Sequence, residues 1–513
     1  MPAPISKNTM NASRRSFLRH AGAYSTLGAA SAPLALNLAA LGSASAAAAS
    51  DYKAIVCIFM FGGNDAINMV LPTDTASFAN YISVRNQAPE SIALLAPGTV
   101  ETGAGTSPAQ LGGVLPILPS NPQAGRTYAL HPTMTALQAM FNTDKTLAIL
   151  PNIGPLILPT SKAQYATMSH PKPASLFSHN DQQNTWQSFQ PEGATLGWGG
   201  RMGDLLASTN GQPVFTAVSA AGNAVWLSGQ NVKQYQVSTS GAVRLGGRTI
   251  YGSADVAAAM YRITSATRGG HVFERDLAAV AKRAIDAEVT LGAAFKPASD
   301  VLFGTAATPY NPSTDPKLMY ANPNGGNSFN ALAQQLQVVA RMIDASSASG
   351  VAAKRQVFFV SLGGFDTHDA ENANHAQLMA RLSHAMRYFS DTLGGMGAAS
   401  KVTTFTASDF GRTFTSNGDG TDHGWGAHHF VMGGAVKGGA LYGTFPTYGT
   451  KNSNDNNFDS SPDQLGNGSL LPTTSVDQLG ATLGKWFGLS DTQLLDVFPN
   501  LHNFSTRNLG FMV

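Results

Sequence analysis

Two apolar runs end in the same way. Ala54-Ile55-Val56-Cys57-Ile58-Phe59-Met60 leads into Gly62-Gly63-Asn64-Asp65, and residues 355–362 lead into Gly363-Gly364-Phe365-Asp366. A continuous apolar run of this length suits a strand covered on both faces, as in parallel sheets. Paired glycines allow a tight turn and close backbone approach, which presents the following Asp at the sheet edge. Two such runs are expected to be strands of a sheet covered on both faces.

The rest of the chain fits that expectation. Residues 146–151 and 401–407 are further apolar strands, and a helix opens at His131-Pro132-Thr133 and runs to about Phe141. Three amphipathic helices follow, with apolar residues stepping by three and four. The first carries Phe273, Leu277, Val280, Ala284 and Leu291; the second Phe329, Leu332, Leu336, Val339 and Ile343; the third Leu378, Leu382, Met386, Phe389 and Leu393. Their stripes are expected to be core contacts. Ser475 to Leu489 is a final helix. Residues 97–127 and 449–473 are expected as loops, and 170–190 as polar and irregular. Strands alternating with helices predict an α/β fold with a central, mostly parallel sheet flanked by helices.

The N-terminus carries an export signal. Ser13-Arg14-Arg15-Ser16-Phe17-Leu18-Arg19 precedes an Ala-rich apolar stretch, and Ala44-Ser45-Ala46 fits a small-residue cleavage site. The arginine pair followed by Phe-Leu resembles the twin-arginine signal, which implies the twin-arginine export machinery as a partner and a periplasmic or secreted destination. Pro33 and Asn37 interrupt the stretch, which argues against a membrane-spanning helix. The expected organisation is a signal peptide over 1–46 and one α/β domain over 47–513 with long loops, with no transmembrane segment in the mature chain.

Charge excludes some partners. The formal charge is +2, and the signal holds four of the basic residues and no acid, so the mature chain is near −2. No basic field is left to hold nucleic acid. The single cysteine, Cys57, lies in an apolar run and is expected as a buried core thiol.

The chemistry concentrates beyond the strand ends, where open α/β sheets place functional groups. Asp65 follows the first strand, Asp366 and His368 another, and Asp409 and Arg412 a third, followed by Asp422, His423, His428 and His429. Asp and His offered from loops suit a divalent metal. Asp65 fits a ligand or a helix cap equally well, and Asp409 a ligand or a partner of Arg412. His384 sits within an amphipathic helix and is expected to be structural, whereas His375 is open. In Ser178-His179-Asn180-Asp181, Ser178 fits a nucleophile or an N-cap, and His179 and Asp181 fit ligands, substrate contacts or first-turn residues. No His-Glu-x-x-His motif points to a metalloprotease.

The signal, Phe61-Gly62-Gly63-Asn64-Asp65, Ser178 to Asp181, Gly363 to His368, Phe410 to Thr413, Thr421 to Trp425 and Gly433 to Gly439 together resemble the DUF1501 family of exported bacterial proteins, grouped with the alkaline phosphatase and sulfatase superfamily. The resemblance implies an alkaline phosphatase-like sheet between helices with a two-metal site at its carboxyl edge, and the expected cofactors are one or two divalent ions (zinc, manganese or calcium). It implies Asp65, Asp366, His368, Asp422, His423 and His428 as ligands and Ser178 as nucleophile; His179, Asp181 and Asp409 are additional candidates from the residues themselves, and in a hydrolase Arg412 is expected to steady the anion. Two departures stand out. One residue, Thr367, separates Asp366 from His368 where the superfamily usually has three, and Asp409-Phe410 stands where it has Asp-His. The expected function is metal-dependent hydrolysis of small anionic phosphate or sulfate esters. The competing one is a non-catalytic periplasmic binding or envelope-assembly protein on the same fold.

Overall fold

The computed structural model describes residues 51–243, 249–266 and 271–513; the signal expected over 1–46 lies outside them. The main sheet has nine strands: β1 (Lys53–Phe61), β2 (Leu147–Gly154), β3 (Ala217–Ser219), β4 (Tyr235–Ser238), β5 (Gly241–Ala242), β6 (Arg355–Gly363), β7 (Val402–Ser408), β8 (Ala427–Met432) and β9 (Thr474–Ser475). Their order is β9-β2-β8-β7-β1-β6-β3-β4-β5. β1 pairs in parallel with both β6 and β7, while β8 runs antiparallel to both β7 and β2. The fold is thus the expected α/β class with a mostly parallel central sheet.

The principal helices are α1 (Thr135–Asn142), α2 (His179–Ser188), α3 (Trp198–Leu206), α4 (Ala254–Ser265), α5 (Val272–Ala294), α6 (Ala331–Ala345), α7 (Glu371–Gly395) and α8 (Val476–Phe487). β1 explains why helices must cover both faces. Its side chains alternate, so Ala54, Val56, Ile58 and Met60 enter one core while Ile55, Cys57 and Phe59 enter the other. The first core is completed by α6 and α7 through Leu332, Leu336, Leu378 and Leu382, the second by α3 and α8 through Met202, Leu206, Leu479 and Leu483. Fully burying each large apolar side chain of β1 contributes about 1.5–3 kcal/mol. Cys57 is buried and free, as its apolar run predicts. No helix among the described residues is long and apolar enough to cross a membrane.

Two expectations change. The polar stretch 170–190 contains a ten-residue helix, α2, which has no apolar stripe. Its buried side includes Gln182 and Gln187, and Gln187 accepts the Trp226 amide at 3.0 Å. Hydrogen bonding to neighbouring segments here replaces hydrophobic patterning. Most of the α5 stripe is also not core: Phe273, Leu277 and Val280 are exposed, and of the stripe Leu291 is buried as expected, while Ala278 and Ala281, outside the stripe, are buried as well.

Candidate metal centre

Topology assembles the site. β1, β6 and β7 are parallel, so the residues that follow them share one edge. β8 runs the other way, so the loop entering it brings Asp422 and His423 to the same edge. α2 adds His179. Packing at this edge is close enough to need glycine: Gly62 has φ 115°, and a Cβ there would lie 2.4 Å from the Asp366 amide nitrogen. The Gly62 N–H donates to Asp409 Oδ2 at 3.1 Å.

Asp366 is the centre of the cluster. Its Oδ1 lies 3.1 Å from His368 Nε2 and 3.3 Å from His423 Nε2, and its Oδ2 lies 3.4 Å from His179 Nε2. His368 Nε2 and His423 Nε2 are 2.9 Å apart. The carboxylate is 46% exposed, so the cluster opens to solvent. The Phe410 ring forms its inner wall, 4.8 Å from the His179 ring and 4.7 Å from that of His423.

The opposite nitrogen of each ring is already occupied. His179 Nδ1 meets Asp409 Oδ2 at 2.7 Å, His368 Nδ1 meets Asp422 Oδ1 at 3.2 Å, and His423 Nδ1 meets the Phe177 carbonyl at 2.7 Å. A carbonyl only accepts, so His423 Nδ1 carries the proton and its Nε2 presents a lone pair to the cluster. His368 Nε2 faces that lone pair at hydrogen-bond distance, so a proton or a cation must lie between them. Carboxylate and carbonyl acceptors that anchor an imidazole through Nδ1, and leave Nε2 for the ion, are the usual outer shell of a metal site. His179, Asp366 and His423 place one ligand atom each within 4.8 Å of the others, and His368 stands beside them. Phe177 holds its carbonyl in position from a left-handed backbone, φ 73°.

The charges are set by these partners. The Asp409 hydrogen bond, with the Asp366 charge, raises His179 above its ordinary value against the effect of burial. Burial lowers His423. Burial alone would raise Asp366, but the hydrogen bond and charge of Arg412 outweigh it and hold the carboxyl low. Arg412 itself is buried and fully engaged. Its NH1 donates to Asp366 Oδ1 at 2.7 Å and to the Gly62 carbonyl, its Nε donates to Thr421 Oγ1, and its NH2 to the Thr421 carbonyl. Instead of reaching for an anion, as the sequence suggested, Arg412 fixes Asp366.

Several expected ligands are placed elsewhere. Both oxygens of Asp65 are taken by Arg85, with neither side chain exposed, and Asp65 also caps the short helix Ala66–Met69. His428 lies within β8; its Nδ1 accepts the Asn152 amide, its Nε2 meets Tyr448 Oη, and its ring stacks on Phe445. Burial lowers it to about 3. Asp422 and Asp409 stand behind histidines. Asp181 accepts the Glu192 amide, and that bond, with the Ser178 and Ser175 hydroxyls, lowers its carboxyl. Ser178 occupies the N-cap position of α2 with no side-chain cap bond to the helix, directly before His179. His384 meets Asn330, as a structural residue would, and His375 is buried against Asn64.

Sequence reasoning singled out neither Glu371 nor Arg85. Glu371 Oε2 accepts from Thr421 Oγ1 at 2.8 Å, and Thr421 in turn accepts from Arg412, so a buried chain links Glu371 to Asp366. Burial and the neighbouring Asp65 charge push the Glu371 carboxyl well up. Arg85 comes within 3.9 Å of Glu371 but pairs closely with Asp65, which keeps the negative charge.

Fold and site define an α/β protein with an imidazole–carboxylate cluster at the carboxyl edge of its sheet. The chain belongs to the DUF1501 family, described as a protein of unknown function, whose model matches residues 52–498. No curated protein sequence matches it. Similar solved structures include a Bacteroides thetaiotaomicron protein from a locus for the metabolism of multiple glycosaminoglycans, at 10% identity over 86% of this chain and 74% of that one, TM-score 0.31. Another is Ps i-CgsB in complex with k-i-k-neocarrahexaose, at 9% identity over 90% and 78%, TM-score 0.27. A third is the alkaline phosphatase of the Antarctic bacterium TAB5, at 8% identity over 75% and 91%, TM-score 0.25. At such scores the likeness says nothing further about this chain's chemistry.

Proposed function

We propose that His179, Asp366, His368 and His423 bind one divalent cation, and that the protein is an exported metal-dependent hydrolase of phosphate or sulfate esters. The observation that carries the metal is the convergence of three Nε2 atoms on Asp366 while each Nδ1 is anchored from behind. The ester class is what the resemblance of the sequence adds. Soft ligands are absent from this cluster, and imidazole with carboxylate suits zinc or manganese better than calcium. A cation there would act as a Lewis acid toward an ester oxygen. One ion, not two, is proposed, because Asp65 is neutralised by Arg85.

Ser178 is the proposed nucleophile. It stands at the N-terminus of α2, whose dipole favours an anion, beside His179. Its Oγ forms the new bond to phosphorus or sulfur, its proton passes to Asp181, and the ester alkoxide leaves and takes a proton from water. A second water then attacks phosphorus or sulfur, the bond to Ser178 Oγ breaks, Oγ takes its proton back from Asp181, and the proton shed by the attacking water neutralises the hydroxide left by the first. Arg412 and Asp409 act as positioning residues for Asp366 and His179.

The purified, folded protein is expected to carry about one equivalent of metal by elemental mass spectrometry. It should hydrolyse p-nitrophenyl phosphate or sulfate, stop on chelation and recover on metal addition. No bound metal and no uptake of zinc, manganese or calcium would overturn the metal reading; metal without hydrolysis of either ester would leave a non-catalytic binding protein. Asp409→Asn keeps the shape behind His179 and removes the charge. Affinity for the metal should fall about 10- to 100-fold, as for other outer-shell substitutions, with little change in the melting curve. Titration of the metal-free variant against a competing chelator measures it.

A further inference from the structure

Exposed large apolar side chains are concentrated in one part of the surface. Of seventeen among the described residues, ten lie between Val243 and Val289. α4 and α5 pack against each other through small residues, burying Ala257 on one and Ala278 and Ala281 on the other. On α4, Val256, Met260 and Ile263 are 38%, 47% and 53% exposed; on α5, Phe273, Leu277 and Val280 are 74%, 67% and 53% exposed. Each set steps by four and three, so each helix has a continuous apolar stripe facing water. Solvent-facing stripes of this kind mark an interaction surface.

The pattern of α5 indicates what covers it. The stripe Phe273, Leu277, Val280, Ala284 is centred between residues 278 and 279. Reversing the helix about that point sets Phe273 against Ala284, large against small, and Leu277 against Val280. Asp276 and Arg283 flank the stripe on the same side, and the reversal brings each to within about two residues, roughly 3 Å along the axis, of the other's counterpart, so flanking charges of opposite sign meet. A membrane surface fits less well, because α5 has four acids (Glu274, Asp276, Asp286, Glu288) against three bases (Arg275, Lys282, Arg283). We propose that this face joins two copies of the chain, with α5 of one antiparallel to α5 of its partner about a two-fold axis near residues 278 and 279.

Light scattering on the full mature protein at micromolar concentration should give twice the chain mass. Leu277→Glu should halve it, and because Leu277 is exposed the variant should fold as the wild type does, checked by circular dichroism. Cys57 is buried, so introduced cysteines report without interference. An antiparallel contact brings Val280→Cys within about 4.5 Å of its counterpart along the axis but leaves Val289→Cys about 31 Å from its own, from a rise of about 1.5 Å per residue. Under mild oxidation the first should cross-link at least tenfold faster. A monomeric wild type, a dimer indifferent to Leu277→Glu, or equal cross-linking at both positions would overturn the proposal. So would a monomer that floats with phosphatidylglycerol-containing vesicles, which would assign the face to a membrane.

Discussion

Asp366→Ala is expected to abolish metal retention and hydrolysis while leaving the protein folded. Among the described residues, Asp366 is the one that touches all three histidines and Arg412. Structural zinc binding in small domains is worth roughly 10–16 kcal/mol, which shared over four ligands is about 2.5–4 kcal/mol each. Affinity should therefore fall by roughly two to three orders of magnitude, enough to empty the site on dialysis. Folding should survive because the side chain is nearly half exposed, although Arg412 loses its carboxylate. The control is Ser178→Ala, which should keep the metal and lose the hydrolysis. If Asp366→Ala binds metal as tightly as the wild type, the ion is held elsewhere. If Ser178→Ala keeps full activity, the nucleophile is another group.

The parts of this centre differ in how far the sequence discloses them. β1, β6 and β7 are legible because a strand buried on both faces leaves an unbroken apolar run, and the Gly-Gly endings mark where the chain leaves the sheet. Asp366, His368 and His423 follow from those endings. His179 is harder, because α2 is polar apart from Trp186 and the partner that orients it, Asp409, lies 230 residues away. The same limit applies to α5. A periodic stripe says that one face is apolar, not whether the protein's own core or another molecule covers it. Asp422 and His368 are close in space only because β8 is antiparallel, a pairing that its histidine-rich sequence conceals. His428 shows the converse: its position beside His429 within a buried strand commits it to packing, although its residue type suits a metal.

At Asp65 the local sequence is compatible with both a metal ligand and a helix cap, whereas its partner is set by the fold. Arg85, at the end of the helix Thr75–Arg85, meets both Asp65 oxygens and donates to the Phe414 and Thr413 carbonyls at 3.1 and 2.9 Å. It thereby ties the segment after β1 to the loop after β7, which carries Arg412. Arg85→Met should keep most of the volume and remove the charge. An unpaired carboxylate and two unpaired carbonyls then remain in a buried site, and breaking one side of such a pair costs about 3–5 kcal/mol. Against a total stability of roughly 5–15 kcal/mol, the urea midpoint should fall sharply. Glu371→Gln, in the same cluster, should cost far less, because burial and the Asp65 charge already favour the neutral form of Glu371, which glutamine resembles. The two acids also give opposite pH dependences. Asp65 is lowered in the folded protein, so its stabilisation is present above the ordinary carboxylate value of about 3.9 and is lost as pH falls through the folded value. Glu371 is raised, so its protonation favours folding at low pH, and stability declines as pH rises from about 4.3 toward its folded value. Glu371→Gln should remove that decline, and Arg85→Met should remove most of the acid-side loss. A loss below about 1 kcal/mol in Arg85→Met, within the range of an exposed pair, would mean that the Asp65–Arg85 pair does not hold the two loops. A gain of a second metal equivalent in Arg85→Met would show that the guanidinium stands in for a cation.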